Sequence, residues 1–202
     1  KMISWKNSAD RKPLIIQGAR QVGKTWLMKK FGEEYFSNTV YINFEREKRL
    51  HDILESTLDP DKIIMALTAL TGESIDPANS LIIFDEIQEE PRALTLLKYF
   101  CEERPEYMIV AAGSLLSIAL HEGTAFPVGK VDFLRLYPLN FREFLLAEGK
   151  QQLLDILDSC DPVLIKSFKT LFIESLRNYY IVGGMPEAVN TFISLHDYNK
   201  VR

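Results

Sequence analysis

Several features that mark specialised protein classes are scarce in this 202-residue chain. It has only two cysteines, Cys101 and Cys160, and neither shows a C-x-x-C or Cys/His ligand spacing. We therefore expect reduced core cysteines rather than a disulfide framework or a zinc site. The three histidines, His51, His121 and His196, are equally scattered and suggest no metal site.

An excess of positive charge is also absent, since 24 Lys and Arg residues stand against 28 Asp and Glu residues and give a net charge of −4. Nucleic-acid-binding domains usually carry a clustered basic face, so the composition argues against direct nucleic-acid binding by this segment. No apolar run approaches the roughly 20 residues that span a bilayer. No charged-then-apolar signal peptide opens the chain. We expect a cytoplasmic protein without membrane association.

The chain does contain a phosphate-binding pattern, G-x-x-x-x-G-K-[ST], at residues 18–25. Its two glycines permit backbone angles that let successive amide groups turn inward around a phosphate. The lysine ammonium would lie on the β- and γ-phosphates, and the threonine hydroxyl would hold the Mg²⁺ that bridges them. The predicted nucleotide-binding residues are Gly18, Ala19, Arg20, Gln21, Val22, Gly23, Lys24 and Thr25.

The flanking sequence has the order that such a loop requires. An apolar strand is predicted at residues 12–16, and apolar residues then recur at helical spacing from Trp26 to Tyr35. Further strands are predicted at 39–45, 81–84, 107–113 and 131–137, with helices between them. This alternation predicts a parallel sheet of five strands flanked by helices, with the ends of strands one, three and four meeting at one site.

Beyond Phe141 the sequence predicts helices only. Apolar residues from Ile165 to Tyr179 step by three and four and predict a single helix, which ends at Gly183 and Gly184. These two glycines are typical of a helix terminus, and a hinge for a helical lid is the alternative. We divide the chain into an α/β core at 1–140 and a helical region at 141–202.

Two acidic residues, Asp85 and Glu86, directly follow the third strand. Asp85 would hold the Mg²⁺ with its water shell, and Glu86 could polarise a water molecule toward the γ-phosphate. The pair therefore favours hydrolysis as well as binding. We interpret the next two acidic residues, Glu89 and Glu90, as a solvated turn.

The fourth strand ends at Ser114. If this strand lies between the first and third, the Ser114 hydroxyl would sit beside the γ-phosphate and could bond it or the attacking water. A helix N-cap is an equally good interpretation of this serine, and one hydroxyl could serve both roles.

These residues, with four further segments, closely resemble a known family. The segments are 83–88 (IFDEIQ), 113–116 (GSLL), 137–144 (YPLNFREF) and 182–187 (VGGMPE). Together they resemble the bacterial and archaeal AAA-superfamily P-loop ATPases that carry a C-terminal domain of unknown function. The phosphate-binding pattern at 18–25 and the segment 83–88 are shared by many ATPases, and the segments 137–144 and 182–187 are much more specific to this family.

The resemblance implies an AAA-type core with strand order 5-1-4-3-2 and ATP with Mg²⁺ as cofactors. It implies Thr25 and Asp85 at the metal, and Lys24, Glu86 and the strand-four sensor Ser114 as catalytic residues. It leaves room for a protein partner or a homo-oligomer. Because members are about twice as long as this chain, the C-terminal domain would be missing here.

One departure concerns charge stabilisation. Many members have a Gly-Arg pair before the fifth strand where this chain has Gly129 and Lys130. Lysine lacks the planar fork of arginine, so we do not assign that role to Lys130. Other candidate charge stabilisers, for which surface or core-edge roles are the competing interpretation, are Arg20, Arg92, Arg135 and Arg142.

Two functions from different classes fit the sequence. The first is Mg²⁺-dependent ATP hydrolysis coupled to a conformational change, and the second is an ATP-binding interaction module with negligible turnover. A GTPase fits less well because no Asn-Lys-x-Asp stretch is present: Asn199 and Lys200 are followed by Val201 and Arg202. A small-molecule phosphotransferase also fits less well, since no acceptor site is evident.

Overall fold

A computed structural model of the chain describes residues 1–114 and 129–201. The chain forms two compact units, Lys1–Leu136 and Tyr137–Arg202. Helices and parallel strands alternate in the first unit, and the second is helical.

The first unit is built on a five-stranded parallel sheet, in the order β2-β3-β4-β1-β5. This is the predicted order 5-1-4-3-2 read from the other edge, so the predicted fold class is confirmed. The strands are β1 (Leu14–Gly18), β2 (Asn38–Asn43), β3 (Ser80–Asp85), β4 (Met108–Ser114) and β5 (Asp132–Leu136).

Helices cover both faces of this sheet because both faces are apolar. Every residue of β3 is buried, and its side chains alternate between two cores. Ile82 and Phe84 belong to one core, and Leu81 and Ile83 belong to the other. Burying each such side chain contributes about 1.5–3 kcal/mol. The helices are α1 (Met2–Lys6), α2 (Lys24–Tyr35), α3 (Arg49–Ser56), α4 (Pro60–Thr71) and α5 (Pro91–Glu103), with a 3₁₀ turn at Ile87–Glu89.

Caps in the sequence set where two of these helices begin. The carboxylate of Asp59 accepts a hydrogen bond from the amide of Asp61 and precedes a proline at the first position of α4. Glu90 does the same for the amide of Arg92 at the start of α5. Glu90 is only 3% exposed, so our interpretation of it as part of a solvated turn is wrong. The capping bond and a contact with His51 satisfy its buried carboxylate.

The second unit packs its helices around the buried side chains Phe144, Val182, Val189 and Phe192. Its first helix begins with a capping box between Asn140 and Glu143. The helices are α6 (Phe141–Ala147), α7 (Gln151–Ser159), α8 (Pro162–Ser167), α9 (Lys169–Val182) and α10 (Pro186–Leu195), with a 3₁₀ turn at Tyr198–Lys200.

The predicted single helix from 165 to 179 is wrong, because the chain breaks at Phe168 into α8 and α9. Asp161 caps α8 through the amides of Val163 and Leu164, so the first helix begins earlier than the apolar stripe. Phe168 has φ −100° and ψ 13°, outside regular helical geometry, and 39% of it is exposed. Phe168 thus fits the apolar spacing of a helix although its side chain does not pack into the core.

The predicted helix end at Gly183 is confirmed, since α9 stops at Val182 and Gly183 has φ +74°. The next residue has a different role. A Cβ atom on Gly184 would lie 2.0 Å from the carbonyl oxygen of Leu139, whose amide donates to the Gly184 carbonyl at 2.7 Å. Gly184 therefore allows two backbone segments of the second unit to touch.

The cysteines differ from the expectation of two core thiols. Cys101 is half-buried, whereas Cys160 is exposed at the end of α7, with φ +52°. Within the described ranges, no group of three or more His, Cys, Asp or Glu side chains could hold a metal ion. His121 lies outside those ranges. No helix in 1–114 or 129–201 is long and apolar enough to cross a membrane.

Candidate nucleotide-binding site

The phosphate-loop pattern begins at the last residue of β1, where the sheet leaves no room for a side chain. A Cβ atom on Gly18 would lie 2.6 Å from the carbonyl oxygen of Leu136 and 2.9 Å from the Val22 side chain. Contacts this short do not occur with real Cβ atoms, so glycine is required here. The loop can then turn directly away from the sheet edge.

The loop ends at Gly23, which caps helix α2 with φ +95°. Gln21 also has a positive φ of 61°, so the chain curls tightly before the helix starts. The first intrahelical bond runs from the Leu27 amide to the Gly23 carbonyl, which leaves the three preceding amides to partners outside the helix. Free amides at a helix N-terminus attract anions, and phosphate groups above all.

Lys24 is folded back over the loop. Its Nζ atom donates to the carbonyl oxygens of Gly18 at 3.1 Å and Ala19 at 2.8 Å. The side chain is buried, and this desolvation lowers the pKa of Lys24 from its usual value, while the charges of Glu86 and Asp85 act in the opposite direction. The ammonium thus lies inside the loop whose amides would meet the phosphates.

Thr25 and Asp85 meet although 60 residues separate them along the chain. The Thr25 hydroxyl donates to Oδ2 of Asp85 at 2.7 Å. Asp85 is the last residue of β3 and only 2% exposed, and Thr25 is in the first turn of α2. The structure therefore brings together the two oxygen side chains that the sequence predicts at the metal.

A residue that the sequence analysis missed completes this cluster. The Tyr41 hydroxyl, from strand β2, donates to the same Oδ2 atom of Asp85 at 2.8 Å. Burial raises the pKa of Tyr41, which keeps the hydroxyl protonated as a donor. The sequence predicted only that Tyr41 lies in the strand at 39–45. The available signal was that a half-buried tyrosine hydroxyl usually finds a partner.

Glu86 follows Asp85 in the left-handed region, with φ +52° and ψ 46°. Its carboxylate accepts a hydrogen bond from Nε2 of Gln88 at 2.5 Å. The other side-chain atom of that amide, Oε1 of Gln88, is buried and has no hydrogen-bond partner among the described residues. Gln88 lies in the segment 83–88 that carries the family resemblance, and no role was predicted for it.

Ser114 is placed by its backbone. It ends β4, which lies between β1 and β3 as predicted, and it stands opposite Gly18 in the parallel register. The ends of β1, β3 and β4 therefore share one edge of the sheet. The Ser114 side chain lies outside the described part of the structure, so its two interpretations stay predictions.

The basic residues that are candidates for stabilising phosphoryl charge differ in their location and in their partners. Arg20 is exposed in the phosphate loop itself, and Arg135 lies on β5. Arg92 donates to the Glu55 carbonyl at 2.9 Å, and Arg142 pairs with Asp158 in the second unit. Lys130 forms an ion pair with Glu102 at 3.0 Å, which is a surface role.

The donor set at this edge fits a nucleotide with a divalent cation. The hydroxyl and carboxylate oxygens of Thr25 and Asp85 are the hard ligands that Mg²⁺ prefers. The amides after Gly23 and the Lys24 ammonium supply the charge that a polyphosphate needs. The Gly18 position, which a Cβ atom would fill, keeps the loop backbone against the sheet edge.

Known structures share this fold at low sequence identity. A Caenorhabditis elegans PCH-2 structure matches 96% of the chain with a TM-score of 0.51 and 14% identity. The replication initiator DnaA, bound to AMPPCP and single-stranded DNA, matches 96% with a TM-score of 0.55 and 12% identity. A signal transduction ATPase of the STAND class from Pyrococcus horikoshii matches 96%, with a TM-score of 0.51 and 18% identity.

The chain covers only part of each of these proteins: 58% of PCH-2, 58% of DnaA and 29% of the STAND protein. A curated relative, the replication factor C large subunit of Methanosphaera stadtmanae, is 31% identical over 83 residues. That match spans 41% of this chain and 14% of the relative. The family model of the AAA domain matches residues 10–145, which include every site residue named above, and the chain therefore belongs to the AAA domain family.

Proposed function

We propose that this chain binds ATP with Mg²⁺ and hydrolyses it, and that the nucleotide state is coupled to a conformational change. The observation that carries the proposal is the 2.7 Å bond between Thr25 Oγ1 and Asp85 Oδ2. It joins the phosphate loop to the end of β3, and this supports a shared magnesium site at these two side chains. Thr25 and Asp85 would hold the Mg²⁺, which would supply positive charge to stabilise the phosphates during hydrolysis.

Lys24 and the loop amides would hold the phosphates. The Lys24 ammonium now bonds two loop carbonyls, and its burial makes a bonded anion a better partner than water. The amides of residues 24–26 point out of the helix start, where a polyphosphate oxygen would accept from them. Both features support tight binding of a triphosphate.

Glu86 is the residue that we propose as the general base. Its carboxylate follows the metal ligand Asp85 directly and is partly exposed, so it can reach a water molecule outside the sheet edge. A base must be free to take the proton, and the Glu86 carboxylate is bonded to the Gln88 amide. Hydrolysis therefore requires that this bond open or that the second carboxylate oxygen act.

The same bond favours the second candidate, an ATP-binding module with negligible turnover. In that case the Gln88 amide keeps Glu86 from activating water while the loop retains ATP. The two candidates predict different results for Gln88→Ala. If the chain is a binding module, native turnover is near zero and rises in Gln88→Ala, because the amide no longer restrains the base. If the chain is an ATPase whose Glu86–Gln88 bond opens during the reaction, the native chain already hydrolyses ATP and Gln88→Ala changes its turnover little.

Phosphate release from ATP and from GTP, measured with Mg²⁺ and with EDTA, tests the proposal. We expect Mg²⁺-dependent release from ATP that Lys24→Ala and Glu86→Gln both abolish, with ATP binding lost only in Lys24→Ala. Lys30→Ala is the matched control, because Lys30 is an exposed residue of the same helix that pairs with Glu34 at 3.3 Å. Equal ATP binding by Lys24→Ala and the native chain would refute the site itself.

Other parts of the proposal extend beyond the site. We expect a cytoplasmic protein that acts with a protein partner or as a homo-oligomer and does not bind nucleic acid directly; the net charge of −4 supports the last point. The division at 140/141 and a further C-terminal domain of unknown function also stay predictions. The contribution of Ser114 to sensing the γ-phosphate belongs with them.

A further inference from the structure

We propose that Tyr41 is a positioning residue of the magnesium centre, whose hydroxyl holds the Asp85 carboxylate in its metal-binding orientation. The inference rests on the proposed function, since it assigns a role at the same site. It begins from strand β2, an element that contributes none of the residues predicted at the metal.

Strand pairing places Tyr41 within reach of Asp85. β2 pairs with β3 so that Asn43 stands opposite Asp85 and Tyr41 stands opposite Ile83, two residues earlier on the same face. The long tyrosine side chain spans that step, and its hydroxyl donates to Oδ2 of Asp85 at 2.8 Å. A shorter side chain at this position would not reach the carboxylate.

Three donors converge on Asp85, one from β2, one from α2 and one from the residue that follows β3. Oδ2 accepts from the hydroxyls of Tyr41 and Thr25, and Oδ1 accepts from the Glu86 amide at 3.1 Å. A carboxylate with 2% exposure needs such partners, because burying an unsatisfied charge is costly. Tyr41 therefore contributes to the orientation of this carboxylate and supplies one of the hydrogen bonds that its buried oxygens need.

Tyr41 is itself held in place at both ends. Nζ of Lys29 lies 3.9 Å from the centre of its ring, and Nδ2 of Asn43 lies 3.5 Å from its hydroxyl oxygen. Lys29 is one helical turn after Thr25 on α2, so the helix that carries the metal-binding hydroxyl also fixes the tyrosine ring. A side chain restrained in this way can fix the carboxylate that it bonds.

The two hydroxyl donors to Asp85 have different roles in the proposed function. The Thr25 oxygen is itself a metal ligand, so its lone pair and its proton both have partners at the site. The Tyr41 hydroxyl donates its proton to Asp85 and is not proposed as a metal ligand. The Asp85 carboxylate retains acceptor capacity beyond its two hydroxyl bonds. Removing the Tyr41 hydroxyl should therefore weaken the metal and leave the phosphate contacts intact.

The test is a Mg²⁺ titration of binding to a fluorescent, slowly hydrolysed ATP analogue, followed by anisotropy, for the native chain and Tyr41→Phe. We expect the affinity in EDTA to stay within about twofold and the half-saturating Mg²⁺ concentration to rise roughly threefold to tenfold, the range for one hydrogen bond. Tyr107→Phe is the matched control, because it removes a half-buried hydroxyl whose ring packs on Phe100, at the other end of the sheet.

A double-mutant cycle separates positioning from general packing. In an Asp85→Asn background, Tyr41→Phe should change the Mg²⁺ dependence no further, because the carboxylate that it positions is gone. An unchanged Mg²⁺ titration in Tyr41→Phe would overturn the inference, and so would an equal loss of affinity in EDTA or a native chain without Mg²⁺ dependence. Failure of the proposed function looks different: the native chain would not bind the analogue at all.

Discussion

Nδ1 of His51 lies 2.5 Å from Oε2 of Glu90, which joins helix α3 to the residue that caps helix α5. The hydrogen bond and charge of Glu90 raise the pKa of His51 above its usual value, with smaller contributions from Glu55 and Asp52. The contact therefore links the segment after β2 with the segment after β3.

This pairing predicts a pH dependence. Because the folded-state pKa of His51 is raised, its contribution to stability is fully present below the unfolded pKa of about 6.5 and disappears as the pH rises through the folded pKa. Glu90→Gln keeps an acceptor for the Arg92 amide and removes the charge. We expect the His51 pKa, followed by NMR, to be lower in Glu90→Gln than in the native chain. We also expect the native chain and Glu90→Gln to approach equal stability at high pH. An unchanged His51 titration would contradict this.

Lys24→Ala should abolish the stabilisation that bound nucleotide gives to the folded chain. At a nucleotide concentration of one hundred times Kd, the native chain should gain about 2.7 kcal/mol of stability from Mg²⁺-ATP. The variant should gain none, because it lacks the ammonium that lies inside the loop. Thermal melts with and without nucleotide measure the difference, with Lys30→Ala as the control. A melting shift of native size in Lys24→Ala would argue against the proposed phosphate site.

Gly184→Ala should destabilise the second unit more than an alanine at an uncrowded glycine. A Cβ atom on Gly184 would collide with the Leu139 carbonyl at 2.0 Å, so two backbone segments must separate, at a cost of about 3 kcal/mol. Gly149→Ala is the comparison, because Gly149 has φ +74° with open space around it and should lose only about 1 kcal/mol. Urea unfolding of both variants checks the ranking, which a smaller loss in Gly184→Ala would reverse.

Trp26 should report nucleotide binding through its fluorescence. Its side chain is 68% exposed, and its amide is one of the three that precede the first intrahelical bond of α2. Trp5, the other tryptophan, is buried and donates from Nε1 to the Lys12 carbonyl at 2.7 Å. We expect Mg²⁺-ATP to change the emission of the native chain and Trp26→Phe to lose that change. A response that persists in Trp26→Phe would assign it to Trp5 instead.

Much of the first unit could be predicted because its strands are short apolar runs with clear boundaries in the sequence. The run before Asp85 is buried on both faces, as its uninterrupted hydrophobicity predicts, and the strand order followed from the family resemblance. Lys24, Thr25 and Asp85 were predicted because a glycine-rich loop and an acidic strand end have fixed chemical roles. For these residues, local sequence carries the information.

What was missed depends on contacts between distant segments. Tyr41 was not predicted because its role depends on the register between β2 and β3. Glu90 was predicted in a solvated turn because the sequence alone does not show His51 beside it. The break at Phe168 was missed because the spacing of apolar residues does not show how exposed each side chain is in the fold. In each case tertiary contacts overrode a local preference.

The parallel sheet has a consequence for how this chain folds during synthesis. Strand β1, which carries the phosphate loop, hydrogen-bonds only to β4 and β5 within the described sheet. Its first strand partner is therefore not made until the ribosome passes Met108. Such long-range pairing slows folding, because loop closure precedes the contacts that stabilise it. A nascent chain that ends before β4 should expose the unpaired backbone edges of β1 and β3 together with their apolar side chains, and this stage is where a chaperone would be needed most.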